Sequence, residues 1–269
     1  MKKFFFNSNK NSQLSNLSVV SNALSGQYLE ISDTQNHDVF VVGYPKSGNT
    51  LMQHIIAHLI YGINNEISRS LVNLIIPDVH ANKVYIRLNT RCFFKSHSLP
   101  HPNYKNVIYL IRDGRDALLS YYHMLKNTGK KIEISSIFNY KVNYNGINWN
   151  EHILKWESNP YKANILFLRY EDMITNKISV LNNLCDFLSL KRTPEELHLV
   201  EKFTSVEFMK TLEKKNDWKL MKQKNGFIEG GEFVRKGIVG DFKPNVDEHL
   251  IKQFEINNSD VLKRYNYLV

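Results

Sequence analysis

Gly43-Tyr44-Pro45-Lys46-Ser47-Gly48-Asn49-Thr50 sets a lysine, two hydroxyls, an amide and a glycine between an apolar run, Val39 to Val42, and a helical pattern of Leu51, Ile55, Ile56, Leu59 and Ile60. A strand that feeds such a loop and then a helix builds an anion site. The first helical N–H groups lack intrahelical partners, and the helix dipole adds partial positive charge there. Gly48 lets the main chain come close to the anion. Ser47, Asn49 and Thr50 offer side-chain donors, and Lys46 adds a mobile cation. In the phosphate loop of nucleoside triphosphatases, G-x-x-x-x-G-K-[ST], the lysine follows the second glycine. Here Lys46 precedes Gly48, so the ATP or GTP fingerprint is absent.

Two further segments suit anions. The apolar run Val107 to Ile111 ends on Arg112, and a helix opening near Gly114 carries Ser120 about two turns in. The guanidinium of Arg112 is a fork of donors matched to phosphate. Near the C-terminus, Phe233-Val234-Arg235-Lys236-Gly237, followed by Gly240, makes a flexible basic loop. A general base titrating near neutrality is most often histidine. Of the ten histidines, His54, His58 and His123 fall in helical patterns and His249 in a polar helix. His97 instead follows Cys92-Phe93-Phe94-Lys95 and precedes Ser98-Leu99-Pro100, where a parallel strand ends. Ligands of open α/β sheets bind at that edge. No His/Cys/Asp cluster has metal-ligand spacing, and no metal is expected.

Taken together, these segments resemble the PAPS-dependent sulfotransferases, in their cytosolic, small-molecule form. Pro45-Lys46-Ser47-Gly48-Asn49-Thr50-Leu51 is similar to the family's 5′-phosphosulfate loop, P-K-[ST]-G-[TS]-[TS]-W, with Asn49 for a hydroxyl residue and Leu51 for a Trp that stacks on adenine. Arg112 and Ser120 fall at the spacing of the family's 3′-phosphate pair. Phe233 to Lys243 resembles F-M-R-K-G-x-x-G-D-W-K, which implies Arg235, Lys236 and Gly237 at the 3′-phosphate and Phe233 near the adenine. Arg169-Tyr170-Glu171-Asp172-Met173 resembles the Y-E-D segment. Thr204-Ser205-Val206-Glu207-Phe208-Met209 resembles T-S-F-x-x-M, with Val206 for Phe. Tyr170, Thr204 and Met209 are thereby adenine-pocket residues.

Phe94-Lys95-Ser96-His97-Ser98-Leu99-Pro100 resembles L-K-T-H-L-P, with Ser98 as one extra residue, and the resemblance makes His97 the catalytic base. It further implies a P-loop-like domain, PAPS as donor and PAP as product. The acceptor would be a hydroxyl, or second an amine, of a small molecule such as a secondary metabolite. Lys46 would bond the oxygen bridging sulfur to the leaving phosphate, and Lys95 would add positive charge at the sulfuryl group. The resemblance runs from about Asp38 to about Lys243.

The elements that must position these residues alternate. Asp38–Gly43, Arg91–Lys95, Asn106–Ile111 and Asn164–Arg169 are short apolar runs, and 114–126, 148–158, 177–188 and 247–265 carry helical patterns. That alternation argues a single α/β domain, a parallel sheet flanked by helices. The polar stretches 127–147 and 210–232 read as long loops or lids. Residues 1–37 read as a peripheral lead-in to a domain over 38–269. Tyr85, Phe138, Tyr140, Tyr144 and Trp149 are the aromatic candidates for an acceptor pocket, and Lys126, Lys130 and Lys131 form a basic loop that screens an anionic donor.

The hydrophobic share of 42% is enough to bury a sizeable core, and a net charge of +9 favours anionic partners. The cations are spread along the chain without a recognition motif, so nucleic acid is not an expected partner. Phe4-Phe5-Phe6 is too short for a secretory core, which needs about 7–15 apolar residues. No stretch approaches the roughly 18 that span a bilayer. Cys92 and Cys185 lie in apolar runs and read as buried thiols of a reducing compartment. A cytoplasmic protein without a membrane partner is expected. Lys243-Pro244-Asn245-Val246-Asp247-Glu248 does not fit the K-x-x-x-T-V-x-x-x-E dimer segment of many cytosolic members, so a monomer or weak homodimer is expected. The Lys/Asn/Ile-rich, Gly- and Pro-poor character suggests an AT-rich bacterial genome. On the residues alone three other readings stay open. One is an ATP-dependent kinase of nucleoside-kinase type, with Asp113 as its Mg²⁺ ligand. Another is a basic nucleic-acid-binding protein. The third, a catalytically dead PAP-binding regulator, is opposed by His97 and Lys46.

Overall fold

The computed structural model describes residues 28–63, 65–88, 90–234 and 236–268. Residues 1–27, most of the expected peripheral segment, and Arg235 lie outside the described residues. The strands are β1 (Tyr28–Glu30), β2 (Val39–Gly43), β3 (Val84–Ile86), β4 (Phe93–Ser96), β5 (Asn106–Ile111) and β6 (Asn164–Arg169). β1 and β3 pair antiparallel as a small ribbon, and the other four form one parallel sheet in the order β4-β2-β5-β6.

β2 sits inside that sheet with all five residues buried, and alternate side chains supply opposite faces. Phe40 and Val42 enter one core cluster; Val39 and Val41 enter the other. A strand covered on both faces must be apolar throughout, as its sequence is. The helices are α1 (Asn49–Tyr61), α2 (Arg69–Ile75), α3 (Gly114–Asn127), α4 (Ile134–Phe138), α5 (Trp149–Ser158), α6 (Tyr170–Thr175), α7 (Lys177–Leu188), α8 (Pro194–Phe203), α9 (Val206–Glu213), α10 (Asn216–Lys224), α11 (Glu248–Asn257) and α12 (Ser259–Arg264). Met52, Ile55 and Ile56 of α1 pack with Leu181 and Leu184 of α7 on one face. Leu118 of α3, Trp149 and Trp156 of α5 and Phe254 of α11 pack on the other.

The expected α/β domain with a parallel sheet flanked by helices is present, and three local expectations change. The stretch 210–232 is not one long loop, because α9 and α10 span 206–224 and bury Met209, Leu212 and Trp218 in a small third cluster with Leu51 and Phe233. The helical pattern 247–265 breaks at Asn258, whose side chain donates to the Phe254 carbonyl at 2.7 Å and splits α11 from α12. The loop 127–147 holds the short α4. One helix, α8, had a local signal: Thr193 and Glu196 form a capping box and Pro194 stands at the first turn.

Because the strands run parallel, their C-terminal ends share one edge, and the segments that leave it carry Lys46, His97, Arg112 and Tyr170. Gly114 opens α3 directly under α5 and α11. A Cβ there would come within 2.5 Å of Phe254 Cζ and 2.7 Å of Trp149 Cδ2. Neither ring can retreat from a filled core, so Gly114→Ala should cost about 2 kcal/mol of stability, read as a lowered midpoint in urea unfolding. An unchanged midpoint would contradict this packing.

Candidate active site

The strand ends open on a cavity of about 940 Å³. Of the residues singled out from sequence, Lys46, Gly48, Asn49, Thr50, Leu51, Lys95, His97, Arg112, Ser120, Tyr170, Met209, Phe233, Lys236 and Gly237 all line it. They come from segments spread over most of the chain.

The loop between β2 and α1 is shaped by two left-handed residues, Lys46 at φ 73° and Gly48 at φ 102°. Gly48 cannot be replaced cheaply, since a Cβ would stand 2.7 Å from Tyr170 Cδ2 and 2.9 Å from Met173 Cε. No side chain caps α1, so its first N–H groups remain available to an anion. Arg112 Nη1 donates to the Lys46 carbonyl at 3.0 Å, and its guanidinium carbon lies 4.2 Å from the Tyr170 ring centroid. Arg112 is buried, and its Nε has no protein partner. Lys46 Nζ lies 4.6 Å from the Phe233 ring centroid.

The loop carrying Lys236 and Gly237 is tied down at both ends by carboxylates. Glu213 accepts from the Phe233 and Val234 N–H groups at 2.5 and 2.7 Å. Asp116, on the helix that carries Ser120, accepts from the Gly240 and Phe242 N–H groups at 2.7 and 2.9 Å. Both carboxylates are thereby satisfied by main-chain donors.

His97 lies just past the end of β4, half-buried. Its Nδ1 meets the Gly43 carbonyl at 2.7 Å. A carbonyl only accepts, so Nδ1 carries the proton and Nε2 holds the free lone pair. Burial, and then the Lys95 cation, hold the imidazole well below the usual histidine range, while the Gly43 carbonyl and Asp78 pull weakly the other way. The ring is therefore neutral at pH 7. Lys95 Nζ pairs with Asp78 Oδ2 at 2.7 Å. Asp78 reaches this place through an isolated parallel bridge to Lys95, which no sequence motif announced.

Several expectations are corrected. Ser47 and Thr204 do not line the cavity. Ser47 is buried in the turn, its N–H on the Tyr44 carbonyl, and Thr204 closes α8 with its hydroxyl on the Val200 carbonyl at 2.7 Å. Asn49 turns its amide back to the sheet, onto the Val41 and Ser96 carbonyls at 3.4 and 3.3 Å. Of the five aromatic candidates only Tyr144 lines the cavity; Tyr85, Phe138 and Trp149 are core, and Tyr140 packs near Phe254. Tyr121, Met124 and Phe227 line it instead, unmarked by any motif. Asp113 caps α3 and pairs with Arg115 at 2.6 Å, so it is engaged elsewhere than as a kinase's Mg²⁺ ligand. Among the described residues, no group of three or more His, Cys, Asp and Glu side chains could hold a metal ion. Among them, too, no helix is long and apolar enough to cross a membrane.

The cavity thus brings cations and helix N–H groups together with a neutral imidazole. That suits transfer of a group from an anionic donor to a protic nucleophile. The sulfotransferase domain family matches residues 36–265. The chain belongs to the sulfotransferase family.

This sulfotransferase is 28% identical to a 3-beta-hydroxysteroid sulfotransferase of Cavia porcellus, over 82% of each chain. It is 31% identical to a 3-alpha-hydroxysteroid sulfotransferase of the same animal, over 78% of each. An amine sulfotransferase of Oryctolagus cuniculus is 29% identical over 84% of this chain and 81% of its own. These animal relatives leave the bacterial origin suggested by composition untouched. In fold, the sulfotransferase is similar to retinol dehydratase crystallised with androsterone and PAP (TM-score 0.66, 20% identity, 93% of this chain and 94% of that one). It is also similar to a mouse sulfotransferase complexed with PAP (TM-score 0.65, 20% identity, 88% and 90%).

Three buried imidazoles tie the stability of the sulfotransferase to pH. Burial lowers His152 from 6.5 to about 4, and it lowers His97 and His54 as well. At these histidines the unfolded chain binds more protons than the folded one below 6.5, so their contribution to stability falls as pH drops below 6.5. Urea midpoints should therefore be lower at pH 5 than at pH 7.5, and His152→Gln should flatten the difference. Equal midpoints in the parent protein would count against neutral buried imidazoles.

Proposed function

We propose that the protein transfers a sulfuryl group from PAPS to a hydroxyl of a small molecule, with His97 as general base. The observation that carries this reading is the single cavity that holds Lys46, Gly48, Arg112, Ser120, Lys236 and Gly237 together with His97. The Nε of Arg112, buried without a protein partner, suits a phosphate oxygen of the donor. Arg112, Ser120, Lys236 and Gly237 take the 3′-phosphate, and Arg235 belongs with them by sequence. Tyr170, Met209, Phe233 and Leu51 flank the adenine. Thr204 closes a helix beside the cavity through its hydroxyl on the Val200 carbonyl at 2.7 Å, and Ser47 is buried in the turn that carries Lys46 and Gly48.

In the reaction the acceptor oxygen attacks sulfur. The new O–S bond forms as the bond from sulfur to the 5′-phosphate oxygen breaks, and PAP leaves with the negative charge. His97 Nε2 takes the acceptor proton. Lys46 meets the charge that grows on the departing oxygen. Lys95 adds positive charge near the sulfuryl group, moderated by its pair with Asp78 at 2.7 Å. Little covalent work falls to the protein, so positioning and electrostatics dominate. An amine is the second acceptor group, since an amine sulfotransferase is among the relatives. The setting is the cytoplasm, where Cys92 and Cys185, both buried, remain thiols.

The test is transfer of labelled sulfate from PAPS to a panel of hydroxyl and amine compounds. His97→Ala should lower the rate by at least about 1,000-fold while PAP affinity stays within about threefold. Transfer at the parent rate in that variant would end the assignment of His97 as base.

A further inference from the structure

His97 is held by its main chain as well as by its ring. Its N–H donates to Nε2 of His80 at 3.0 Å. Its carbonyl meets Nε2 of His152 at 3.1 Å. With the bond from Nδ1 to the Gly43 carbonyl, three attachments converge on one residue from three parts of the fold. The partners decide the protons. The His97 N–H can only donate, so His80 Nε2 is unprotonated; the His97 carbonyl can only accept, so His152 Nε2 carries hydrogen.

The two histidines differ in surroundings. His152 is fully buried on the inner face of α5, its Nδ1 2.7 Å from the Tyr109 hydroxyl. On the same face Trp149 and Trp156 donate to the Arg112 and Ser98 carbonyls, each at 3.0 Å, so α5 braces the ends of β4 and β5. His80 lies in the exposed turn after α2, and its ring stacks 6.1 Å from that of His97. Around it are Asp78, which accepts the His80 N–H at 2.9 Å, Lys95 paired with Asp78, and Tyr144 edge-on at 6.4 Å. An exposed side chain adds little to the core, yet this one holds the main chain of the residue that must meet the acceptor.

We propose that His80 is a positioning residue for the transfer reaction: by accepting the His97 main-chain N–H it fixes where His97 Nε2 stands against the acceptor hydroxyl, opposite the fixed brace of His152. The proposal rests on His97 serving as base in sulfuryl transfer. Displacing a base by a fraction of its hydrogen-bond length slows proton transfer without loosening a donor bound elsewhere in the cavity.

The experiment compares His80→Leu, which removes the acceptor, with His80→Gln, which keeps an acceptor oxygen. PAP affinity is measured by calorimetry. Turnover is measured as sulfate released from PAPS with water as acceptor, and exchange of the His97 amide hydrogen by NMR. In His80→Leu the amide should exchange about tenfold faster and kcat should fall about tenfold, with KM for PAPS within about twofold. His80→Gln should recover most of both. The proposal is overturned if His80→Leu leaves both at parent values, if Gln is no better than Leu, or if KM rises in step with the loss of kcat. If the parent protein neither binds PAP nor releases sulfate, the sulfotransfer reading of this cavity is what fails. Amide exchange then still decides whether His80 holds His97.

Discussion

The guanidinium of Arg112 is buried at the edge of the sheet, and among the described residues no carboxylate pairs with it within ion-pair distance. A buried cation left in that condition is costly, and structures tolerate it where something else compensates. Here the fields of Asp116 and Glu171 supply part of the compensation. Nη1 bonds the Lys46 carbonyl, the guanidinium faces the Tyr170 ring, and Nε stays unsatisfied. Those contacts join the ends of β2, β5 and β6, so the shape of the phosphate loop, the placement of the Tyr170 ring and the charge at the cavity floor are one arrangement. The left-handed turn at Lys46 presents its carbonyl to Arg112, and the bare Gly48 admits Tyr170 beside it.

The rest of the molecule serves that junction. Parallel pairing gathers the strand ends. Asp116 and Glu213 hold the basic C-terminal loop by its main chain, and Lys236, paired with Asp241 at 3.3 Å, lines the cavity. The α5 face of Trp149, His152 and Trp156 braces the segments that follow β4 and β5. Lys46, Arg112 and Lys236 line the same cavity as the neutral ring of His97 and as Lys95, which Asp78 pairs at 2.7 Å.

Much of this was legible in the chain because it is written locally. Asn106–Ile111 and Asn164–Arg169 are continuous apolar runs bounded by polar residues, and both are strands with those bounds. The loop at Lys46–Gly48, Arg112 with Ser120, and His97 at a strand end were marked by short patterns, and their resemblance to one family's motifs in the same order placed them together. What was not legible depends on distant packing. Asp78 and His80 reach the site because the turn after α2 lies alongside β4, a contact across the chain with no motif to signal it. α9 and α10 hide in a polar stretch because few residues of each are buried, and those pack on Leu51 and Phe233 rather than on the main core. Trp149 reads as an acceptor-pocket aromatic but sits under Gly114, where the absence of a Cβ opens its place. Thr204 matches a family pattern by residue type, yet its hydroxyl is spent on closing its own helix.

On the proposed reading the cavity takes a nucleotide by two separate phosphate positions, one at the Lys46 loop and one at Arg112, Ser120 and the Lys236 loop. Calorimetric titration with PAP, 5′-AMP, and ATP plus Mg²⁺ tests it most directly. PAP should bind at least about 30-fold more tightly than 5′-AMP, the margin that about 2 kcal/mol from a charge-assisted 3′-phosphate contact supplies. Equal affinities for PAP and 5′-AMP, or binding of ATP with Mg²⁺ but not of PAP, would contradict it.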